Sequence, residues 1–434
     1  MHPRENRPAN GVIPARTRCV VRPEIGAVVC PALTALALAL ATAAAAAEDW
    51  TFGPGLEVKS KQADFRLAAT GYGQLDFVSP QNWKVPEGSD AAPGDVDVRR
   101  LRFGLEGKWH RLTFEGQVDP LDEQLKDLWV DFRFARTLRL RVGNQKLPMS
   151  AERLASARRT DFVQRSLLAS NLAAGRDLGV VVHGEIGPRV EYQAGVFAGD
   201  DRRAVDRAET TAVARVVLTP AVGLQVGASF SEGEVKAQPE LPGGNPRPRG
   251  LNGKASSDFE FFGQKFVDGR RRRLGIDLSY IRGPAALKGE ILDVREERLG
   301  RGGNLEDLPA VRERGWAVSL TCLLTGEAKR KGVKPRKPLF RGPGAIELGV
   351  RYDDLHFDDE GPDTGFAGVG SRSRNLRPAG ERALTGAISW WPASSVRFMA
   401  NVAVERFEDP LLAPEPGRSA NYVTLLARFQ LELP

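Results

Sequence analysis

One pattern restricts this chain more than any other: apolar and polar residues alternate singly over runs too long for an ordinary soluble sheet. Phe65, Leu67, Ala69, Gly71, Gly73, Leu75 and Phe77 alternate with Arg66, Thr70, Tyr72, Gln74 and Asp76. Leu101, Phe103, Leu105, Gly107 and Trp109 alternate with Arg100, Arg102, Glu106 and Lys108. Successive side chains of a strand point to opposite faces, so each run has one oily and one wettable face. Strands of soluble proteins usually stop after about five or six residues, whereas a tilted strand crossing a bilayer needs about nine to eleven.

Sixteen such runs follow one another, at 64–78, 97–109, 111–119, 125–134, 137–145, 177–186, 189–198, 209–218, 222–231, 271–282, 285–296, 313–325, 344–355, 380–391, 395–405 and 420–433. An even set of antiparallel strands can close on itself and leave no unpaired edge. The expected fold is therefore all-β, a transmembrane antiparallel β-barrel of sixteen strands spanning 64–434. The connections alternate in kind. Tight links at His110, Ala135-Arg136, Gly187-Pro188, Thr219–Ala221, Gly283-Pro284 and Pro392–Ser394 fall at one end. Long polar links at 79–96, 146–176, 199–208, 232–270, 297–312, 356–379 and 406–419 fall at the other, as short periplasmic turns and long outer loops do. The exception is 326–343, a long basic link on the short side. Trp109, Phe134, Tyr280 and Trp390 sit on the oily face toward one rim, with Phe77, Phe230, Trp316 and Tyr352 toward the other, as two aromatic belts would.

The only long apolar run is 27–47, preceded by arginines and followed by Glu48-Asp49. It ends in alanines and reads as a cleaved signal peptide over 1–47, with 48–63 a periplasmic segment; a permanent anchor helix is the rival. The stretch before it is long for a signal peptide, which points to a start codon downstream of Met1. Five arginines against two glutamates precede Ala47, so the net charge of +7 overstates the basicity of the remainder. The remaining cations are interleaved with acids along the strands rather than gathered on one face, which argues against nucleic acid. Cys19 and Cys30 lie in the leader, leaving Cys322 as a small packed or lipid-facing thiol. His2, His110, His183 and His356 have no metal-ligand spacing, and no nucleophile or phosphate-loop motif occurs, so no enzyme, metal or cofactor is expected. His183 falls on the wettable face as a wall residue.

Gln145–Asp177 breaks the alternation. It is long, cationic and partly helix-like near Ser150–Arg159, with Ser150 a candidate N-cap. It falls at the third long loop and is expected to fold into the barrel and narrow it at 146–176. Together RRLRFGLEGKWHRLTFEGQVDP (99–120), LKDLWVDFRFARTLRLRVGNQKLPMSAERL (125–154), FVQRSL (162–167), GRDLGVVVHG (175–184), LTGE (324–327), GAIELGVRYDD (344–354) and ARFQLEL (427–433) resemble the phosphate- and pyrophosphate-selective porins of the bacterial outer membrane. That resemblance implies a trimer of sixteen-stranded barrels, each with its third outer loop folded inward, and it accommodates a longer link between LTGE and GAIELGVRY. The ending Leu433-Pro434 departs from the terminal aromatic usual in such barrels.

Cations at a constriction favour anions, because Coulomb energies grow as the dielectric falls. Arginine suits phosphate through its planar fork of donors. The loop supplies Lys146, Arg153, Arg158, Arg159, Arg165 and Arg176 against Glu152, Asp161 and Asp177. The wall adds Arg100, Arg102, Arg139, Arg141, Arg273 and Arg351. These residues, Arg176 apart, are the candidate pore and anion-binding set. The competing reading pairs many of them with lumen carboxylates such as Glu106, Glu115, Asp127, Asp131 and Asp277. The functional expectation is passive diffusion of small, phosphate-like anions through a homotrimer set in outer-membrane lipid. A weakly selective general porin is the alternative, and a secreted soluble β-protein binding polysaccharide is a third.

Overall fold

The computed structural model describes residues 51–53, 56–81, 96–122, 124–200, 209–236, 248–329, 332–362, 365, 367–417 and 421–433. The signal-peptide expectation lies outside them. Sixteen antiparallel strands form a closed barrel. They are β1 (Phe65–Pro80), β2 (Val96–Trp109), β3 (Leu112–Asp119), β4 (Gln124–Arg133), β5 (Arg139–Lys146), β6 (Arg176–Ile186), β7 (Val190–Phe197) and β8 (Thr211–Ala221). The second half comprises β9 (Leu224–Lys236), β10 (Asp268–Arg282), β11 (Ala285–Arg298), β12 (Leu308–Leu323), β13 (Ala345–Asp359), β14 (Ala379–Ala393), β15 (Val396–Phe407) and β16 (Asn421–Glu432).

Each strand pairs with the next, and β16 closes on β1 from Tyr72↔Glu432 to Pro80↔Thr424. The stretch of β1 that β16 leaves bare is paired by a short N-terminal strand, Glu57–Ser60 against Phe65–Ala68, so the edge stays covered. The tight turns lie where expected, with two exceptions: β8 runs on to Ala221 and the turn is Val222-Gly223, not Thr219–Ala221, and β14 runs on to Ala393 and the turn is Ser394-Ser395, not Pro392–Ser394.

The alternation has the anticipated geometry. On β13, Leu348, Val350 and Tyr352 face outward while Glu347, Arg351 and Asp353 are buried inside. Phe103 and Leu105 are 46% and 51% exposed, an oily row with no second sheet against it. The rim aromatics stack along this outer surface: Trp316 on Tyr352 at 5.2 Å, and Trp390 on Phe398 at 5.5 Å. Cys322 alternates onto the same face as Trp316 and Leu320.

The wall is uneven. β3, β5 and β7 have 8 residues each, whereas β10, β12, β13 and β14 have 15 or 16. The tall side also departs from a simple wet lumen. The connection 232–270 was expected as a polar outer loop, but its described part, 248–267, folds inward. Its small hairpin pairs Gly253–Lys254 with Glu260–Phe262. Phe261 and Phe262 pack on Phe357 at 5.9 and 4.5 Å, and Phe261 meets Phe407 at 5.6 Å. A Cβ on Gly253 would lie 2.7 Å from the Phe261 ring, so only glycine allows this approach. Leu292, Val294, Val311 and Leu355 join from the wall, making an apolar plug in the outer mouth on the β11–β16 side. The FEFF segment cannot remain in water, and the inward rows facing it are correspondingly apolar.

Candidate functional site: a cationic cleft beside the infolded loop

The third long loop crosses the lumen. Ser150 caps its first helix, α1 (Ala151–Leu154), accepting from Arg153 N at 3.0 Å. The helix is shorter than the Ser150–Arg159 expected: it stops at Leu154, and Ala157–Arg159 form a separate 3₁₀ turn. A second helix, α2 (Leu167–Asn171), capped by Ser166, places Leu168 and Leu172 in the apolar plug.

A loop with so little regular structure leaves carbonyls without backbone partners, and buried carbonyls need donors. The wall supplies them, largely as arginines. Arg397 donates to Thr160 O at 2.7 Å, Arg351 to Gln164 O at 2.9 Å, and Arg273 to Leu172 O at 2.9 Å. Gln74 and Gln430 donate to Ala157 O and Arg158 O at 3.2 and 3.0 Å. Asp161 sits between Lys288 (2.6 Å) and Lys329 (2.9 Å). Burial pushes the Asp161 carboxyl up, but the two ammonium groups hold it well below the usual carboxylate range. Lys329 belongs to the long basic link 326–343 on the short-turn side, so that link reaches into the barrel and clamps the loop.

These contacts divide the sequence candidates. Arg273 and Arg351 are buried wall-to-loop ties, with Asp200 and Asp353 as further partners. Arg139, Arg141 and His183 all converge on the buried Asp131, with His183 Nε2 at 2.6 Å. Arg158 is half-buried against β16, and Arg159 lines a separate cavity of about 290 Å³ with Glu152, Asp161, Lys288 and Glu290. Asp127, Asp131 and Asp277 do pair with cations, Asp277 with Arg215 rather than with any of the candidates.

The other five candidates meet in one place. Arg100, Arg102, Lys146, Arg153 and Arg165 line a cleft of about 260 Å³ with Arg99, Lys126 and Arg176. Eight cations face it and, among the described residues, Asp122, itself paired with Lys126, is the one carboxylate in its lining. Arg102 and Arg176 have carboxylate partners in the wall, Asp119 at 3.0 Å and Asp127 at 2.9 Å. Lys146 instead donates to Leu154 O and Ala155 O at 2.8 and 2.9 Å, and Arg165 to Ala155 O at 2.9 Å. Arg100 has the neutral Gln74 Oε1 at 2.9 Å. Positive charge therefore exceeds negative in the cleft. Burial lowers the Arg165 pKa; Glu152 opposes this and the crowding Arg176 and Arg102 reinforce it, the condition that an entering anion would relieve.

Arg99 and Lys126 were not anticipated, because strict alternation turns them away from the lumen. Both sit at register breaks. The β1–β2 register passes from Gln74↔Arg100 to Leu75↔Val98, skipping Arg99. The β3–β4 register passes from Gln117↔Asp127 to Val118↔Leu125, skipping Lys126. A bulge adds one residue and re-aims its neighbours. Among the described residues no group of three or more His, Cys, Asp or Glu could hold a metal.

A closed barrel with an oily exterior, a wetted and charged interior and an infolded loop defines an outer-membrane channel of the porin class. The chain belongs to the family of phosphate-selective porins O and P, whose pattern matches residues 65–432. Similar solved structures include the outer-membrane protein OmpT of Vibrio cholerae, at 11% identity and TM-score 0.55, covering 86% of this chain and 98% of that one. An anion-selective porin from Comamonas acidovorans matches at 13% identity and TM-score 0.51, covering 85% and 99%. OmpF of Salmonella typhi, in complex with daunomycin, matches at 9% and 0.55, covering 87% and 99%. At such identities these likenesses speak for the fold alone. No curated protein matches by sequence.

Proposed function

We propose that this porin is a passive channel for small anions, phosphate-like oxyanions foremost. The observation that carries the reading is the cleft, in which eight cations outnumber, among the described residues, the lining carboxylate Asp122 and the wall partners Asp119 and Asp127. Six of the eight are arginines, whose forked donors match two phosphate oxygens at once. The family description and the anion-selective neighbour from Comamonas acidovorans support the same direction. Five sequence candidates (Arg100, Arg102, Lys146, Arg153 and Arg165) are proposed to meet the solute, with Arg99, Lys126 and Arg176. Arg139, Arg141, Arg158, Arg273 and Arg351 are proposed to hold the wall and loop in place, and Arg159 to face the second cavity.

That cavity mixes Glu152, Glu290 and Asp161 with Lys288 and Arg159, which favours weak selectivity as a second reading. Reversal potentials across a planar bilayer in a salt gradient separate the two. An anion-selective sign, with phosphate permeant against chloride, is expected; a cation-selective sign would end the proposal.

A homotrimer is proposed on the same footing. Three of the five strands β3–β7 have 8 residues, short of the about nine to eleven that a span needs, so this low side is better covered by a neighbouring subunit than by lipid. One solved OmpT of similar fold is a trimer form. Export by cleavage after residue 47 completes the proposal; N-terminal sequencing of the membrane-inserted protein tests it.

A further inference from the structure

The link between β12 and β13 is long and basic on the side where every other link is short, and its conformation is specific. Lys329 enters the lumen, but the described residues from 332 on turn the other way. Val333 packs on Leu323, Ala345 and Trp391 under the rim. Beyond it the chain climbs over the rim to the outside. Leu339 N donates to Pro392 O at 2.8 Å, and Gly344 N to Lys337 O at 2.9 Å. The outward-facing Trp390 indole donates to Pro343 O at 2.7 Å. A Cβ on Gly344 would lie 2.4 Å from Trp391 O, so glycine is needed where the link crosses.

At the apex, Arg341 N donates to Pro338 O at 2.9 Å, closing a turn whose tip is Leu339-Phe340. Phe340 has φ 70 and is 98% exposed. A bulky aromatic in the left-handed region is uncommon, and one fully presented to solvent is uncommon again. The exposed Lys334, Lys337 and Arg341 flank it along the chain, and none has an ion-pair partner among the described residues. The link is tied at Pro343 to the row of rim aromatics, in which Trp390 stacks on Phe398 and Phe398 meets Phe429 at 5.1 Å.

We propose that residues 334–341 form an interfacial anchor in the periplasmic leaflet of the surrounding membrane. Leu339 and Phe340 insert at the boundary of headgroups and acyl chains, and Lys334, Lys337 and Arg341 engage lipid phosphates. An apolar tip flanked by cations is the composition that binds anionic bilayer surfaces. Since Lys329 of the same link clamps Asp161, the anchor also fixes the constriction loop relative to the membrane plane.

The test uses the full chain with Cys322→Ala, carrying a nitroxide at Phe340→Cys or, as a water-exposed control on the same link, at Gly332→Cys. The protein is reconstituted into vesicles of phosphatidylcholine with phosphatidylglycerol, and heat-modifiable migration verifies folding. Collision with a water-soluble nickel chelate should be at least fivefold slower at 340 than at 332, with oxygen collision faster. In the 340-labelled chain also carrying K334E, K337E and R341E, the nickel rate should rise at least twofold. Equal nickel rates at 340 and 332 in the folded protein would overturn the proposal. That result would leave a periplasmic protein as the occupant, since these vesicles contain none. Neither outcome bears on anion selectivity, which the reversal potential reads separately.

Discussion

Replacing Arg99 and Arg100 together by glutamine tests whether the cleft sets selectivity. Neither side chain bonds the infolded loop directly: Arg99 is exposed, and Arg100 donates to Gln74 Oε1, while the Gln74 amide nitrogen that holds Ala157 O is also fixed by Gln430. The loop should therefore keep its place while two of the eight cations vanish. A unit charge about 6 Å from a passing ion in water contributes about 0.7 kcal/mol, and screening at 0.1 M salt leaves roughly 0.4. Two charges give about 0.8 kcal/mol against the anion, and as much in favour of a cation, so the permeability ratio should fall roughly tenfold. Reversal potential in a 0.1 M gradient reads this directly. At 1 M salt the Debye length drops to about 3 Å, and the same substitutions should change the ratio only about twofold. A shift below twofold at 0.1 M, with unchanged conductance, would refute the assignment of selectivity to this cleft. The reasoning also expects the pair Arg158 and Arg159, which lie outside the cleft, to change selectivity less.

Asp161→Asn leaves Lys288 without its carboxylate and Lys329 with Glu347 alone; because Lys288 is 39% exposed, solvent screening cuts the loss from the roughly 3–5 kcal/mol of a fully buried pair to about 1–3 kcal/mol. Single-channel traces should become noisier, and a quiet trace would count against the clamp. Because the folded Asp161 pKa lies below its unfolded value, its stabilisation is complete above about pH 4 and lost only below that. Channel noise should therefore stay flat from about pH 7 down to about pH 4; a rise near neutrality would contradict the pairing. Phe357→Ala removes the fully buried ring against which Phe261 and Phe262 pack, costing about 3–5 kcal/mol. Amide exchange in 251–262 should accelerate and mean conductance should rise; unchanged exchange would show that the plug does not depend on that ring. Leu105→Arg places a charge on the lipid face at a cost of about 2–4 kcal/mol near mid-membrane, so the heat-modifiable folded fraction should fall. Normal assembly would contradict that placement.

The barrel itself was legible in the residues. The two-residue rhythm of Phe65–Phe77 and Leu101–Trp109 holds because each strand separates lipid from water, and that demand acts on every residue in turn. Strand number, link parity and the position of the third loop follow from it, as does the inward aim of Arg100 and Arg102. Individual boundaries moved, as at Ala221, because pairing with the neighbouring strand sets where a turn begins.

Three things were settled only by the tertiary arrangement. Alternation sends Arg99 and Lys126 toward lipid, yet bulges that depend on the partner strand bring both to the cleft. The segment DFEFFGQKF looked like part of an outer loop, because its burial requires Phe357 and Phe407, contributed by strands far along the chain. Arg273 and Arg351 looked like Arg100 in sequence, but loop carbonyls reach the former two and not the latter. Periodicity reports which face a side chain occupies, since that is a local property of one strand. Whether a lumen arginine meets solute or supports a loop depends on what stands opposite it across the barrel, and no local pattern encodes that distance.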